Sequence, residues 1–470
     1  MKILLISTYE LGRQPFGLAS PAAMLERAGH RVRCLDLSVQ RLDEAAVRDA
    51  PLIAFYLPMH TATRIALAVL DKVRSLNPRA HLCAYGLYAP VSVEVLRAHG
   101  VRSILGGEFE AGLVSLADSL ERAAATAGKG DGSAPEPSRE TRLPGEPEAE
   151  ISLARQQFVV PRRAGLPDLQ QYAHLVAADG SSRTVGYTEA SRGCKHLCRH
   201  CPVVPVYGGR FRVVQPDVVL ADIDQQVSMG AQHITFGDPD FFNGPGHAAD
   251  IVRGLHARHP GLTYDVTVKV EHLLQHEELL PLLRDTGCAF VTSAVEAVDD
   301  TILARLDKGH TRADFERAVT LCREVGVALQ PTFVAFTPWT TLEGYADLLA
   351  TIARLDLVDN VPSIQLVIRL LIPAGSRLLD LDEVRALVSP FDAEMLGYPW
   401  RHPDARVDRL QRDIQALVEQ AGENAARREV FVKAWELVQR AGNGAVGDLP
   451  DVVPGRARAT IPYLTEPWYC

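Results

Sequence analysis

No stretch of this sequence approaches the roughly 20 consecutive apolar residues that a helix needs to cross a bilayer, so no membrane association is expected. The opening run, Met1-Lys2-Ile3-Leu4-Leu5-Ile6-Ser7, has neither the apolar length nor the small-residue cleavage site of a secretory signal and reads as a short strand. An excess of positive charge is missing too: 49 Lys and Arg against 58 Asp and Glu leave a net charge of −9. That balance argues against nucleic acid as a partner and leaves only a local basic patch open. There is no internal repeat. Cysteines number eight, and no four of them make the two C-x2–4-C pairs of a four-cysteine structural zinc site. Cys34, Cys83, Cys288 and Cys322 lie singly among apolar residues and read as buried small hydrophobes. What remains is an ordinary globular composition, 47% apolar and 23% charged, in a chain long enough for two or three domains. A cytoplasmic location follows as the expectation, and disulfides are not expected there.

Along the chain, residues 1–120 alternate short strands with helices. The strands read as Ile3–Ser7, Arg31–Asp36, Leu52–Tyr56, His81–Tyr85 and Ser103–Leu105, with helices at Ala19–Ala28 and Arg64–Leu76. Such alternation predicts a doubly wound parallel sheet covered on both faces. Residues 121–150 carry almost no side chain larger than alanine that is apolar. They cannot bury enough surface to offset their ordering entropy, and read as a flexible linker. Residues 151–380 again alternate strand and helix, with strands at Thr184–Glu189, His233–Phe236, Tyr264–Val270, Ala289–Ser293, Ala328–Ala335 and Ser363–Leu371. Six units predict a partial (β/α)6 barrel with its site at the C-terminal strand ends. Residues 381–470 read as mainly helical with an extended tail; Val407, Leu410, Ile414, Leu417 and Val418 form a helical stripe.

The most informative segment is Ser191-Arg192-Gly193-Cys194-Lys195-His196-Leu197-Cys198-Arg199-His200-Cys201-Pro202. Three thiolates spaced C-x3-C-x2-C can hold three irons of a [4Fe–4S] cube and leave the fourth open to a ligand. Zinc is the competing metal, but its structural sites take four ligands, and His196 and His200, which would complete such a set, lie inside the same tight loop. Cys194, Cys198 and Cys201 are therefore the candidate metal ligands.

This motif resembles the signature of the radical S-adenosylmethionine (SAM) superfamily. The resemblance implies that SAM chelates the open iron through its amine and carboxylate, and that one electron from the cluster cleaves it to a 5′-deoxyadenosyl radical. It further implies SAM contacts at the Gly237-Asp238-Pro239-Asp240 loop, at Glu296 for the ribose or amine, at the Ile372 backbone beside adenine, and at His200, which stacks where relatives place an aromatic ring. Lys308 and His310, in Leu306-Asp307-Lys308-Gly309-His310-Thr311, stay open between substrate-facing and helix-capping roles, while Thr311 reads as an N-cap. The first domain resembles the cobalamin-binding domain that precedes many radical SAM domains, on the strength of Tyr85-Gly86, Leu57-Pro58-Met59-His60-Thr61 and Gly106-Gly107-Glu108-Phe109-Glu110. It departs from the Asp-x-His-x-x-Gly pattern, since the first loop is Thr8-Tyr9-Glu10-Leu11-Gly12-Arg13. Cobalamin binding and a scaffold that has lost its cofactor both remain open.

The expected activity is radical modification of a small biosynthetic intermediate, with methyl transfer if cobalamin binds. Aminocarboxypropyl transfer from SAM, for example to arsenic, and a non-catalytic metal-binding sensor are the alternatives. The expected partners are a metabolite substrate and an electron donor such as ferredoxin or flavodoxin. The end of the chain, Thr465-Glu466-Pro467-Trp468-Tyr469-Cys470, resembles the segment before the tail of a small radical SAM family that ends in Cys-Cys-Ala-Glu-Pro or Cys-selenocysteine-Ala-Glu-Pro. That resemblance implies a catalytic Cys470 followed by selenocysteine, whose selenol is ionised at neutral pH where a thiol is mostly protonated. Sequencing the nucleotides beyond the Cys470 codon is the check: UGA followed in frame by alanine, glutamate and proline codons is expected, and a different stop codon with no open frame beyond it ends the selenocysteine idea.

Overall fold

The computed structural model describes residues 1–127, 149–422, 425–442, 452 and 458–466. Residues 128–148 of the expected linker and the candidate catalytic Cys470 lie outside the described residues. The chain divides into two compact units, Met1–Gln171 and Tyr172–Cys470. This division falls later than the 150/151 boundary read from composition, because strand Glu150–Ser152 pairs with the sheet of the first unit.

In the first unit the strands are β1 (Lys2–Ser7), β2 (Arg31–Asp36), β3 (Leu52–Tyr56), β4 (His81–Tyr85), β5 (Ser103–Gly107) and β6 (Glu150–Ser152). They form one parallel sheet in the order β2-β1-β3-β4-β5-β6. Successive side chains of a strand point to opposite faces, and both faces here are buried, as parallel sheets require. Leu4 and Ile6 of β1 and Ile53 and Phe55 of β3 enter one apolar cluster, against Ala66, Leu70 and Val73. Ile3, Leu5, Leu52, Ala54 and Tyr56 enter another, against Leu18, Ala22, Leu25, Leu113 and Ala117. The helices α1 (Phe16–Arg27), α2 (Glu44–Asp49), α3 (His60–Leu76), α4 (Val93–Ala98) and α5 (Glu110–Ala127) supply these covers. α5 continues seven residues into the stretch read as linker: its alanines are good helix formers even where they bury little. Strand order reverses between β1 and β3, the topological switch point of a doubly wound sheet.

The second unit is built on a sheet of β7 (His174–Val176), β8 (Ser182–Thr188), β11 (His233–Phe236), β12 (Thr263–Thr267), β13 (Cys288–Glu296), β14 (Ala328–Phe333) and β15 (Tyr463–Leu464). Between β8 and β11 a separate two-stranded hairpin, β9 (Ser191–Gly193) with β10 (Phe211–Val213), pairs antiparallel. β8, β11, β12, β13 and β14 run parallel, so their C-terminal ends share one edge of a half-barrel. The sixth strand expected at Ser363–Leu371 does not form. Ser363–Leu366 is a 3-10 turn, and only a single bridge, Phe336 to Arg369, continues the sheet. Side chains take the bonds that this strand would have made to β14: Asn360 Nδ2 donates to the Leu329 carbonyl at 2.7 Å, and Phe333 N donates to Gln365 Oε1 at 2.9 Å. Pro362, with no N–H, starts the turn. Helix Ala405–Ala421 buries Val407, Leu410 and Ile414 from the predicted stripe, and Thr311 caps helix Arg312–Val325 in a reciprocal capping box with Asp314. No described helix is long and apolar enough to cross a membrane.

The tightest backbone approach in the first unit is at Gly17. A Cβ there would stand 2.1 Å from the Tyr56 ring, which itself packs on Tyr85 and Phe109 at centroid distances of 5.4 and 6.0 Å. Gly17→Ala should lower the unfolding free energy of this unit by about 1–3 kcal/mol through overpacking. Gly112→Ala, within α5 and at ordinary contact distance from Leu105, should be neutral or stabilising by up to about 1 kcal/mol. Urea unfolding of the two variants beside the parent is the measurement.

Candidate functional site

The three cysteines lie on the loop of the β9–β10 hairpin, just past the end of β8. Gly193, at φ 78°, makes the entry turn; a Cβ would stand 2.4 Å from both the Arg210 carbonyl and the Tyr207 ring. Cys194 N donates to the Arg210 carbonyl at 3.1 Å, and Cys201 N to the Cys198 carbonyl at 3.2 Å. The loop is held from outside as well. Lys195 N donates to Asn243 Oδ1 at 3.0 Å, while Asn243 Nδ2 donates to the Gly193 carbonyl at 3.3 Å. Arg199 N donates to the Leu306 carbonyl at 2.9 Å, and Ser376 Oγ to the Arg199 carbonyl at 3.2 Å. Burial pushes the Cys194 thiol up to about 11; a metal takes the place of that proton on binding.

Glu296 ends β13 through a bulge. Ala294 pairs with Thr332 and Glu296 with Phe333, so Val295 is an extra residue, and Glu296 sits at φ 70°, rare for a residue with a side chain. The bulge aims its carboxylate at His200 Nε2, 3.1 Å away, and at Lys308 Nζ, 3.3 Å away. Burial acts to raise the Glu296 carboxyl, but Lys308 and His200 outweigh it and hold it down to about 2. Burial lowers Lys308, yet Glu296, Cys198 and Cys201 together raise it. This ammonium therefore lies within electrostatic reach of two of the three thiols. His310 is buried beside it, its ring kept neutral down to about 4 by burial and by Lys308 and Lys269.

The two carboxylates of the Gly237–Asp240 loop face the protein. Asp238 accepts from Ala190 N at 2.9 Å and Ser191 Oγ at 2.5 Å, and burial raises its carboxyl to about 7. Asp240 accepts from Phe242 N and lies 2.6 Å from His272 Nδ1. Gly237 makes room for the Tyr187 hydroxyl, which a Cβ would meet at 1.9 Å, and Pro239 is exposed. An ammonium group meeting this loop would find backbone acceptors rather than free carboxylates. Ile372 is wholly buried, and its carbonyl accepts from Tyr398 N at 2.8 Å. The fold thus brings Cys194, Cys198, Cys201, His200, Glu296 and Lys308 together.

Sequence reasoning missed Asn243 as the loop anchor and the array of Lys269, Glu271 and His272 after β12. His272 Nε2 stands 3.3 Å from His196 Nε2, and Lys269 Nζ donates to Glu271 at 3.1 Å. The usable signal was the charged run Lys269-Val270-Glu271-His272 immediately after a barrel strand. Cys194, His196 and Asp240 also bring one ligand atom each within 4.8 Å of one another. That donor set suits zinc, but it shares Cys194 with the three-cysteine set, so the two metals exclude each other.

In the first unit the strand-end glycines are spent on the chain itself. A Cβ at Gly86 would stand 2.9 Å from the Leu57 carbonyl, at Gly106 2.2 Å from Pro90, and at Gly107 2.2 Å from the Ser152 carbonyl. At the switch point Thr8 Oγ1 donates to the Ala62 carbonyl at 2.7 Å and Tyr56 OH to Glu10 at 3.4 Å. These glycines do not fit the role of an open cradle for a flat cofactor.

Residues 188–341 match the model of the radical SAM superfamily. The chain is 24% identical over 333 residues to hopanoid C-3 methylase of Methylococcus capsulatus, covering 69% of this chain and 62% of that protein, so it spans less than two thirds of that relative. Its fold is that of TsrM from Kitasatospora setae, a radical SAM methyltransferase solved with tryptophan and a SAM analogue, at TM-score 0.68, 18% identity and 95% and 96% coverage of this chain and that one. OxsB, a cobalamin-dependent radical SAM enzyme solved with aqua-cobalamin and SAM, superposes at TM-score 0.67 and 14% identity, covering 89% of this chain and 67% of that chain. The domain is that of an enzyme, and none of these relatives lends support to aminocarboxypropyl transfer or to a sensor.

Removing one partner of the buried pair leaves an uncompensated charge. Glu296→Ala should therefore destabilise the second unit by about 3–5 kcal/mol, and the Glu296→Ala/Lys308→Met double variant should recover much of that loss. Denaturant unfolding of the metal-free chain reads both; equal losses in the single and double variants would mean that the pair is not coupled.

Proposed function

We propose that this chain, whose residues 188–341 form a radical SAM domain, uses Cys194, Cys198 and Cys201 to hold a [4Fe–4S] cluster and cleaves SAM reductively to methylate a small molecule. The observation that carries the reading is the anchored hairpin, which presents three cysteines at the C-terminal edge of the half-barrel with Lys308 and the Glu296–His200 pair beside them. The three-thiol donor set fits an iron–sulfur cube with one open iron. Such a cluster, when bound, supplies the electron that breaks a sulfur–carbon bond of SAM.

The chain's own residues do the rest. The Lys308 ammonium offsets the negative charge of a thiolate-ligated site. Glu296, ionised throughout the physiological range, offers an acceptor to ribose hydroxyls, as carboxylates do in nucleotide sites, and His200 presents its ring to the adenine. The buried wall at Ile372, packed with Leu370, Leu378 and Trp400, excludes water from that side. Methyl transfer is favoured among radical SAM reactions because two of the three relatives above, hopanoid C-3 methylase and TsrM, are named as a methylase and a methyltransferase. The first unit is the candidate holder of cobalamin by likeness of fold to OxsB; its strand-end glycines do not supply the cradle, and no step is derived through that cofactor.

Anaerobic reconstitution should load about four irons and four sulfides per chain and give an absorbance near ~400 nm. Replacing any of the three cysteines by alanine should abolish both that absorbance and SAM cleavage, whereas Cys288→Ala and Cys322→Ala should retain them. The nucleoside products separate the reactions: 5′-deoxyadenosine from the reductive cleavage together with S-adenosylhomocysteine from the methyl donor supports the proposal, and methylthioadenosine as the main product would overturn it, as would full iron loading of the triple alanine variant.

A further inference from the structure

We propose that the cluster-free chain binds a Zn²⁺ ion through Cys194, His196 and Asp240, with Glu271 and His272 orienting the ligands, and that this ion bars the cysteine loop from iron until it leaves. The ligands come from two places far apart in the chain. Cys194 and His196 lie on the hairpin loop, and Asp240 lies on the loop after β11.

The three residues bring one sulfur, one nitrogen and one oxygen within 4.8 Å of one another. The usual bond lengths put nitrogen and oxygen ligands about 3.3 Å apart around tetrahedral zinc, and a thiolate sulfur about 3.6 Å from each. His196 Nε2 and Asp240 Oδ2 stand 3.7 Å apart. That separation is too long for a hydrogen bond and close to the spacing of two ligands on one ion. A thiolate, an imidazole and a carboxylate, with a fourth place for water, is a zinc donor set.

The Asp240 carboxylate is set to take an ion. It is 1% exposed. Oδ1 accepts from Phe242 N, but Oδ2 is buried without a hydrogen-bond partner among the described residues. His272 Nδ1 lies 2.6 Å from Oδ2, yet it too makes no hydrogen bond there. The two atoms are near each other and not aimed at each other. A buried polar atom left in that state costs stability, and a cation supplies the missing contact.

His196 is supported from behind. Glu271 Oε2 stands 3.5 Å from its Nδ1, and Glu271 is itself held by Lys269 Nζ at 3.1 Å. A carboxylate at one ring nitrogen turns the other toward a metal, the common support of a histidine ligand. His272, on helix Val270–Gln275, packs its Nε2 3.3 Å from His196 Nε2 and so borders the same point.

Cys194 belongs to both donor sets. A zinc ion here removes one of the three thiols that an iron–sulfur cube needs, and a cube removes the sulfur of this site. When zinc binds, the Cys194 sulfur–hydrogen bond breaks, the proton passes to solvent and a sulfur–zinc bond forms, with no electron transferred. Cys198 and Cys201 take no part. The zinc site stands apart from the radical SAM reading, and only its competition with iron rests on that reading.

The test uses the full metal-free chain under anaerobic conditions, with Co²⁺ as the spectroscopic probe. Co²⁺ should give the visible absorption of a tetrahedral ion, and Zn²⁺ should displace it. His196→Ala and Asp240→Asn should each weaken Co²⁺ binding at least about tenfold, and His272→Ala about tenfold. Asp240→Asn keeps an oxygen to accept from Phe242 N, so it carries the test if His196→Ala misfolds. Cys198→Ala/Cys201→Ala should bind Co²⁺ within about twofold of the parent, since neither thiol is a ligand. Zn²⁺ added before iron and sulfide should block iron loading in the parent and spare it in His196→Ala. No visible absorption in the parent, undiminished binding in Asp240→Asn, or equal blocking in parent and His196→Ala would overturn the proposal. Loss of Co²⁺ binding in Cys198→Ala/Cys201→Ala would give the ion to the three thiols and overturn it too. A parent that binds Co²⁺ as expected but never loads iron would count against the cluster reading and leave this site in place.

Discussion

Everything proposed for this protein depends on hydrogen bonds that distant segments make to the backbone of one hairpin loop. Three cysteines within eight residues specify a donor set but no shape, and ordering such a loop costs about 1–2 kcal/mol per residue in backbone entropy. Asn243, the Leu306 carbonyl, Ser376 and Arg377 meet that cost from outside, each binding a different part of the loop. Behind it, Asp238 takes both the Ala190 N–H and the Ser191 hydroxyl. The candidate metal ligands are thereby held by the chain itself, the condition for a precise site. The loop that sequence reasoning assigned to SAM acts in part as the support of the cysteine hairpin.

A second constraint is electrostatic. Burying Lys308 and Glu296 together is costly, and the cost is tolerable only because each finds the other at 3.3 Å and His200 adds a second contact. The backbone strain of the site lies at the same residue: the bulge and the left-handed conformation of Glu296 put its carboxylate where the pair forms. Bulges beside active sites re-aim a side chain in this way. Strand and charge are linked, since a regular end to β13 would direct Glu296 elsewhere and leave Lys308 alone among thiols.

The first unit shows how the same sequence feature can serve different ends. Glycine at the end of a parallel strand permits close approach of something, and the candidates are a ligand and the chain itself. Here Pro90, Leu57 and Ser152 occupy the spaces. The strand Glu150–Ser152, at the end of the residues that read as a linker, runs beside β5 and fills the position at Gly107 with the Ser152 carbonyl, while Pro90 fills the one at Gly106. No property of the residues before it announces that return.

The sequence alone determined the doubly wound first sheet and the parallel half-barrel, and it singled out the candidate three-cysteine ligand set. Strand alternation over residues 1–120, with both faces apolar, has one economical solution, and the C-x3-C-x2-C spacing is a local property of the chain. It singled out Glu296 as a candidate, and Lys308 without deciding between its roles. The apolar run at Ser363–Leu371 looked like a sixth strand because local pattern registers hydrophobicity and not competition for partners; Asn360 and Gln365 had already taken the edge of β14. Only the tertiary structure decided that Asp238 turns to the hairpin, and that a bulge aims Glu296 at Lys308 and His200. Each of these is a contact between segments far apart in the chain, and such contacts are set by the packing of the whole unit rather than by the residues on either side.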